Sequence, residues 1–382
     1  MKPTLIAILI IFLAIAGCKS QVENTELITV DMTGSLNTMT LHLNDYVIDL
    51  KMARLETNNN SIISYFSGHV GDKFIISVRR ENILLFDSDG AFICTIAKEG
   101  RGPGEYSQID AWTVDEDEKF FLYHDVGKDY ICRFDLSNHH AAENIPFKDH
   151  GSLSEMLLLN DSVISIMPHR FSEYGYVFFN QTIGGQVIDG VAKENEPFEG
   201  LWTRLSDVFK LNYDHSIMFQ ESESDTVFSI QGTDISPECV LLVGATQKIG
   251  DKTKGTSAKF LHKDENLLLI AKRQYESILK PNSQSLTIYS PDYIVFDHET
   301  MKTSKIEKFS LEILGMELDV FELSFPGRDR VFISYQALHF KNMIEDVLKS
   351  EDVSDSQKII LEQLNSDISE YDNPIIISGK WK

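Results

Sequence analysis

The chain has 382 residues, 42% of them hydrophobic and 24% charged, with a formal net charge of −23 at neutral pH. So acidic a balance does not suit nucleic acid, whose phosphates need a basic surface, or flat docking on anionic lipid. The length suffices for two average domains or one large all-β domain.

The first residues, Met1-Lys2-Pro3, carry one positive charge, and an uncharged apolar run from Leu5 to Ala16 follows. This is the n-region and h-region order of a secretory signal, and the run is too short to span a bilayer as a helix. It ends in Ile15-Ala16-Gly17-Cys18, which resembles the lipobox of bacterial lipoproteins. The resemblance implies cleavage after residue 17 and lipid on Cys18, so the membrane is the first expected partner. Lys19, rather than Asp, after the lipid site implies export from the inner membrane by the same resemblance. Residues 18–36 read as a lipidated tether, with a polar start (19–26) unable to bury a core. Residues 37–382 read as the folded domain.

Short β-like runs dominate from there. Lys73–Val78, Asn82–Phe86 and Ala91–Ile96 are rich in β-branched and aromatic residues and are separated by tight polar turns. They predict an antiparallel meander. Lys119–Tyr123 and Tyr130–Phe134 repeat the plan. Phe86-Asp87, Phe134-Asp135, Phe179-Asn180, Phe228-Ser229 and Phe296-Asp297 recur at about 45 to 49 residues and then at a longer gap, where 246–257 reads as an insertion. A four-strand unit of this period is the signature of a propeller blade. The expected fold is therefore all-β, a six-bladed β-propeller, with a pair of β-sandwiches, which would not explain the period, as the alternative. Met39–Leu43 and Pro374–Ser378 stand near the two chain ends, where either could complete the other's sheet.

Residues 337–371 break the pattern. Leu338, Met343, Val347 and Leu348 form one helical set, and Ile359, Ile360, Leu364 and Ile368 another. A helical hairpin is predicted there, its stripes packed on the propeller, with Ser354 or Asp355 as N-cap of the second helix.

The most distinctive motif is Gly100-Arg-Gly-Pro-Gly-Glu-Tyr106. Its glycines permit positive φ, and Pro103 stiffens the turn. It lacks the ending of a phosphate loop. A fixed connection between blades is the expected role, with Gly102 or Gly104 at positive φ, Arg101 paired with Glu105 and Tyr106 packed on the adjacent blade. Arg101, Glu105 and Tyr106 are also the candidate ligand contacts, because loops on a rigid scaffold carry function.

Leu85-Phe-Asp-x-x-Gly90 followed by this motif resembles the bacterial six-bladed β-propeller lipoproteins, mostly uncharacterised envelope proteins. Asp225-Thr-Val-Phe228 and Asp372-Asn-Pro-Ile-Ile376 match as well, so the resemblance runs over about residues 40 to 380. It implies a lipid-anchored location in the cell envelope, at the outer membrane, and no established catalytic residue.

Other chemistry is thin. Asp115-Glu-Asp-Glu118 reads as a solvated carboxylate turn without calcium-loop spacing. His139-His140 would point to opposite faces of a strand. His69, His124, His169, His215 and His262 follow the blade period, and their convergence on a channel is the sharper reading. Cys94, Cys132 and Cys239 are an odd set, read as buried thiols or as a Cys94–Cys132 bridge with one thiol left over. No cofactor, metal site or catalytic set is expected. The expected function is a binding or scaffold module for an envelope protein, peptide or glycan, with no nucleic acid. The alternative is a propeller hydrolase, lactonase-like or glycan-cleaving, with a divalent metal in its channel.

Overall fold

The runs of Val, Ile and Phe become strands because their alternating side chains are buried on both faces of each sheet. The computed structural model describes residues 27–382 except 80–81, 103, 127, 148–150, 170–174, 193–207, 212–215, 221–223, 232–233, 250, 281–282, 328 and 351–352. The signal segment, Cys18 and the start of the tether lie outside the described residues. Among the described residues the strands form six hydrogen-bonded sheets, arranged as a β-propeller.

The first sheet is Gly68–Val70, Phe74–Val78, Asn82–Asp87 and Phe92–Lys98, adjacent in chain order. Ile109–Val114, Phe120–Asp125 and Tyr130–Asp135 make the second, edged by His140–Ala141 and Ile145–Pro146. Leu153–Asn160, Val163–Pro168, Tyr176–Thr182 and Val187–Ala192 make the third. The fourth is Val208–Leu211, Ile217–Gln220, Thr226–Gln231 and Asp234–Leu242. Lys252–Lys263, Leu267–Lys280, Asp292–Asp297 and Lys302–Ile313 form the body of the fifth. Its first two strands run on into a long hairpin, flanked by Gln247–Ile249 and Ser283–Ile288, that absorbs the stretch 246–257. The sixth is Ser324–Gly327, Arg330–Tyr335, Ile375–Trp381 and Val47–Arg54.

Apolar clusters lie between successive sheets. Ile76 and Leu85 meet Phe121 and Phe134; Ala111 and Leu122 meet Ile164 and Phe179; Phe178 meets Phe209 and Phe219. Met218 and Val227 meet Ile270 and Phe296, Leu269 and Phe309 meet Ile333, and Phe332 and Ile376 return to Ile75 and Phe86. The sixth sheet thus packs on the first. Each fully buried side chain of this kind stabilises the ring by about 1.5–3 kcal/mol.

The recurring phenylalanines all stand on the third strand of their sheets. The aspartate that follows has its own role. Asp87 Oδ1 accepts from the N–H of Asp89 and Ala91 at 3.0 and 2.8 Å, Asp135 Oδ1 from those of Ser137 and Asn138 at 2.9 Å, and Asp297 Oδ1 from that of Thr300 at 2.7 Å. A carboxylate that satisfies turn N–H groups fixes the exit from the strand. Phe179 and Phe228 sit inside their strands instead, with no such turn after them.

The N-terminal segment departs from expectation twice. The tether is shorter than 18–36, because Ile28–Asp31 pairs in parallel with Asp234–Leu242 and Val30 and Met32 are fully buried. Met39–Leu43 does not complete the C-terminal sheet. Asn37–His42 pairs in parallel with Lys302–Ile313, and Val47–Arg54 is the partner of Ile375–Trp381.

Helix α1 (Ala337–Leu348) and helix α2 (Asp355–Asp367) stand where the hairpin was expected, and Ser354 Oγ caps α2 by accepting from Gln357 N–H at 3.3 Å. The buried face of α1 is Ala337, Phe340 and Ile344, and α2 buries Leu361. Leu338, Ile359 and Ile360 were expected to pack but are 47%, 68% and 53% exposed. Phe340 and Leu361 take the inward positions, and the apolar neighbours one or two residues away, about 100° or 200° around the helix, are left in solvent.

Candidate functional site

The Gly-rich motif joins the last strand of the first sheet to the first strand of the second. Gly100 N–H donates to Tyr106 C=O at 2.9 Å, and Tyr106 N–H to Lys98 C=O at 3.0 Å. Glu105 does not pair with Arg101. Its Oε2 accepts from Gly102 N–H at 2.6 Å, so the acid closes the loop on its own backbone. A Cβ on Gly100 would fall 1.9 Å from that carboxylate, which explains the glycine. Gly104 holds φ +80°. Pro103 lies outside the described residues. Tyr106 is buried in the cluster between the first two sheets and donates to Arg79 C=O at 2.8 Å. Arg101 is exposed, and none of Arg101, Glu105 and Tyr106 reaches the cavity at the centre of the ring. These three residues belong to the connection between the first two sheets, outside the cavity.

That cavity has a volume of about 1490 Å³ and is walled by the first strand of every sheet. Its two sides differ. On the first and second sheets carboxylates dominate. Asp115 and Glu118 were read as a solvated turn, yet each is only 5% exposed. Glu118, at φ +52°, turns inward: Oε1 meets His69 Nε2 at 3.0 Å and Oε2 accepts from Lys73 N–H at 2.6 Å. This ties the first sheet to the second. Asp115 Oδ1 accepts from Phe120 N–H at 2.5 Å, while Oδ2 is buried with no hydrogen-bond partner among the described residues. Burial pushes this carboxyl above the ordinary range. Between the sixth and first sheets Asp72 pairs with Arg330 and, at 3.6 Å, with Lys380. Burial works against the charge of Asp72, but these cations hold its carboxyl below the usual value.

The fourth, fifth and sixth sheets give the other side an aromatic lining with several cations, Lys210 and Lys259 among them. His262 stacks on Phe325 at 4.9 Å and 12°, and lies 4.9 Å from the Trp381 ring. Lys210 Nζ sits 5.1 Å from the Phe260 centroid and 5.4 Å from that of Phe325, within cation–π range. It makes no ion pair with any described residue. Burial and then the charge of Lys259 push the Lys210 amine down to about 7, against a weaker pull from Glu155. The His262 imidazole is pushed down to about 3, by burial first and Lys210 second, and its Nε2 has no hydrogen-bond partner among the described residues. At neutral pH it is an uncharged ring.

The periodic histidines do not converge. His69 and His262 line the cavity, but His124 is buried between the second and third sheets, with Nδ1 2.7 Å from Asp110 and its ring on Phe147. His215 lies outside the described residues. Among the described residues no three His, Cys, Asp or Glu side chains are grouped to hold a metal ion. Cys94, Cys132 and Cys239 are free thiols, so the Cys94–Cys132 bridge does not form. Sequence reading passed over Lys210, Phe325 and Trp381. Lys210 lies on the fourth sheet and Phe325 and Trp381 on two strands of the sixth, and their only signal is a polar or aromatic residue on a short strand.

Residues 27–380 match the family described as a domain of unknown function, DUF4934. The chain belongs to the DUF4934 family. No curated protein matches it in sequence. Among solved structures it is similar to an exported protein from Bacteroides fragilis NCTC 9343, at 14% identity and a TM-score of 0.59, over 91% of this chain and 100% of that one. It is also similar to a member of the duf4221 family from Bacteroides vulgatus, at 11% identity and a TM-score of 0.45, over 87% and 96% of the two chains. The first likeness agrees with the fold of this DUF4934 chain.

Proposed function

We propose that this DUF4934 chain is a six-bladed, ligand-binding propeller of the cell envelope, held to the outer membrane by lipid on Cys18 and taking a peptide or glycan in its central cavity. The count of blades is supported by the six sheets and by a hydrophobic cluster at each of six junctions. Envelope location is supported by the charge and length pattern of residues 1–18 and by an exported structural relative.

The observation that carries the binding role is the two-sided cavity. Hydrogen-bonding carboxylates on one side face a stacked aromatic surface on the other, the mixture that fixes a polar ligand with an apolar face. The test is binding of the purified protein to arrays of envelope glycans and peptides. Thr113→Trp, on the cavity wall, should abolish saturable binding, while Val187→Trp, on an outer strand, should leave it intact. Equal binding by both variants, or no saturable binding by the unaltered protein, overturns the reading.

A further inference from the structure

We propose that Lys210 is a nucleophilic amine that captures an aldehyde or ketone in the cavity, forming an imine with a ligand whose carbonyl is carried on an apolar or aromatic body. This rests on the reading of the cavity as a binding site and names the chemistry of one ligand class for it.

Four observations converge on this lysine. It lies on the innermost strand of the fourth sheet and lines the cavity, where a ligand can reach it. It has no ion pair with any described residue, whereas structural lysines here are held by acids, such as Lys128 by Asp125 at 3.1 Å. Its Nζ lies over two phenylalanine rings that supply an apolar floor. Beside it stands His262, 3% exposed, whose Nε2 has no hydrogen-bond partner among the described residues. A buried ring nitrogen without a partner implies a group still to arrive.

The electrostatics suit the chemistry. An ammonium has no lone pair, so a lysine attacks a carbonyl only as the free amine, and desolvation beside another cation is the known way to supply it. Lys259 is that cation, and among the described residues the opposing charge acting on Lys210 is Glu155. With the amine lowered to about 7, roughly half of it is free at neutral pH, against about 1 in 3000 for an ordinary lysine.

The step balances without a further reactant. The Lys210 nitrogen lone pair attacks the carbonyl carbon, and the C=O π pair moves to oxygen. The carbinolamine then loses that oxygen as water, which carries away the two amine hydrogens, and a C=N bond replaces the C=O bond. Water returning reverses the step and frees the ligand.

The probe is benzaldehyde with cyanoborohydride at pH 7, followed by peptide mass mapping of every lysine in the full mature chain. Lys210 should be benzylated roughly tenfold or more faster than exposed Lys252, and this fast phase should vanish in Lys210→Met. Trinitrobenzenesulfonate run in parallel separates the two readings. If it modifies Lys259 but benzaldehyde shows no preference for Lys210, the cavity is open and the imine proposal fails. If neither reagent reaches Lys210 or Lys259, the cavity reading itself fails. Should Lys210→Met not fold, the site map of the unaltered protein decides alone.

Discussion

Trp381 and Asp264 fasten the sixth sheet to the fifth: the indole Nε1 donates to Asp264 Oδ2 at 2.5 Å, while Asp264 Oδ1 accepts from the N–H groups of Asn266 and Leu267 at 2.6 and 2.8 Å. One carboxylate thus orders the turn of one sheet and holds the last aromatic residue of the next. Tyr46 stacks on the same indole at 5.5 Å, so the N-terminal segment joins the contact.

Trp381→Phe keeps most of the packing but removes the donor. Asp264 is only 7% exposed, so its oxygen is left dry and unpaired. The expected loss is about 1–3 kcal/mol in urea denaturation, with the slope of the transition unchanged. A variant as stable as the original would show that water reaches Asp264.

Gly104 separates backbone strain from crowding. Its φ is +80°, and a Cβ there would meet nothing within 4 Å. Gly104→Val should therefore cost about 1–3 kcal/mol through conformation alone. Gly104→Asn, which tolerates the left-handed region, should cost clearly less. Equal melting temperatures for the two variants would refute this.

His262 sets an acid limb of stability. Its folded value of about 3 lies below the ordinary 6.5, so between these the unfolded chain binds a proton that the folded one refuses. The stability is in full force above 6.5 and is lost as the pH falls toward 3, by up to about 1.4 kcal/mol per pH unit. His262→Phe should flatten the curve of unfolding free energy against pH over that window, in denaturant titrations at pH 7, 6, 5 and 4. An unaltered slope would mean that His262 is solvated when folded.

Cys18→Ala should move the protein from the membrane fraction to the soluble fraction, and metabolic labelling with a fatty acid should disappear with it. A variant that still sediments with membranes would show that something other than residue 18 holds it there.

The architecture was legible where the code is local. Phe86-Asp87, Phe134-Asp135 and Phe296-Asp297 announce themselves because one residue fills an inter-sheet core and the next satisfies a turn. Pairing across the chain was not legible. Met39–Leu43 and Val47–Arg54 are both short alternating runs, and nothing in either says which distant edge it will meet. The cavity was hidden for a similar reason. Lys210, His262 and Trp381 come from three sheets and form no motif. Asp115 and Glu118 looked solvated because four acids in a row usually are, and only the turn of Glu118 toward His69 brings them inside.

The three N-terminal strands have a consequence for the order of events during folding. Ile28–Asp31, Asn37–His42 and Val47–Arg54 find their partners in Asp234–Leu242, Lys302–Ile313 and Ile375–Trp381, roughly 200 to 330 residues further along the chain. Emerging first, they have no edge to pair with until the last sheets exist. The opening segment must stay extended and unclaimed through most of synthesis, a client for any chaperone that shields bare strands. Once the final strand arrives, residues 28–54 become the seam of three neighbouring sheets, and opening the finished ring there means peeling those three strands away.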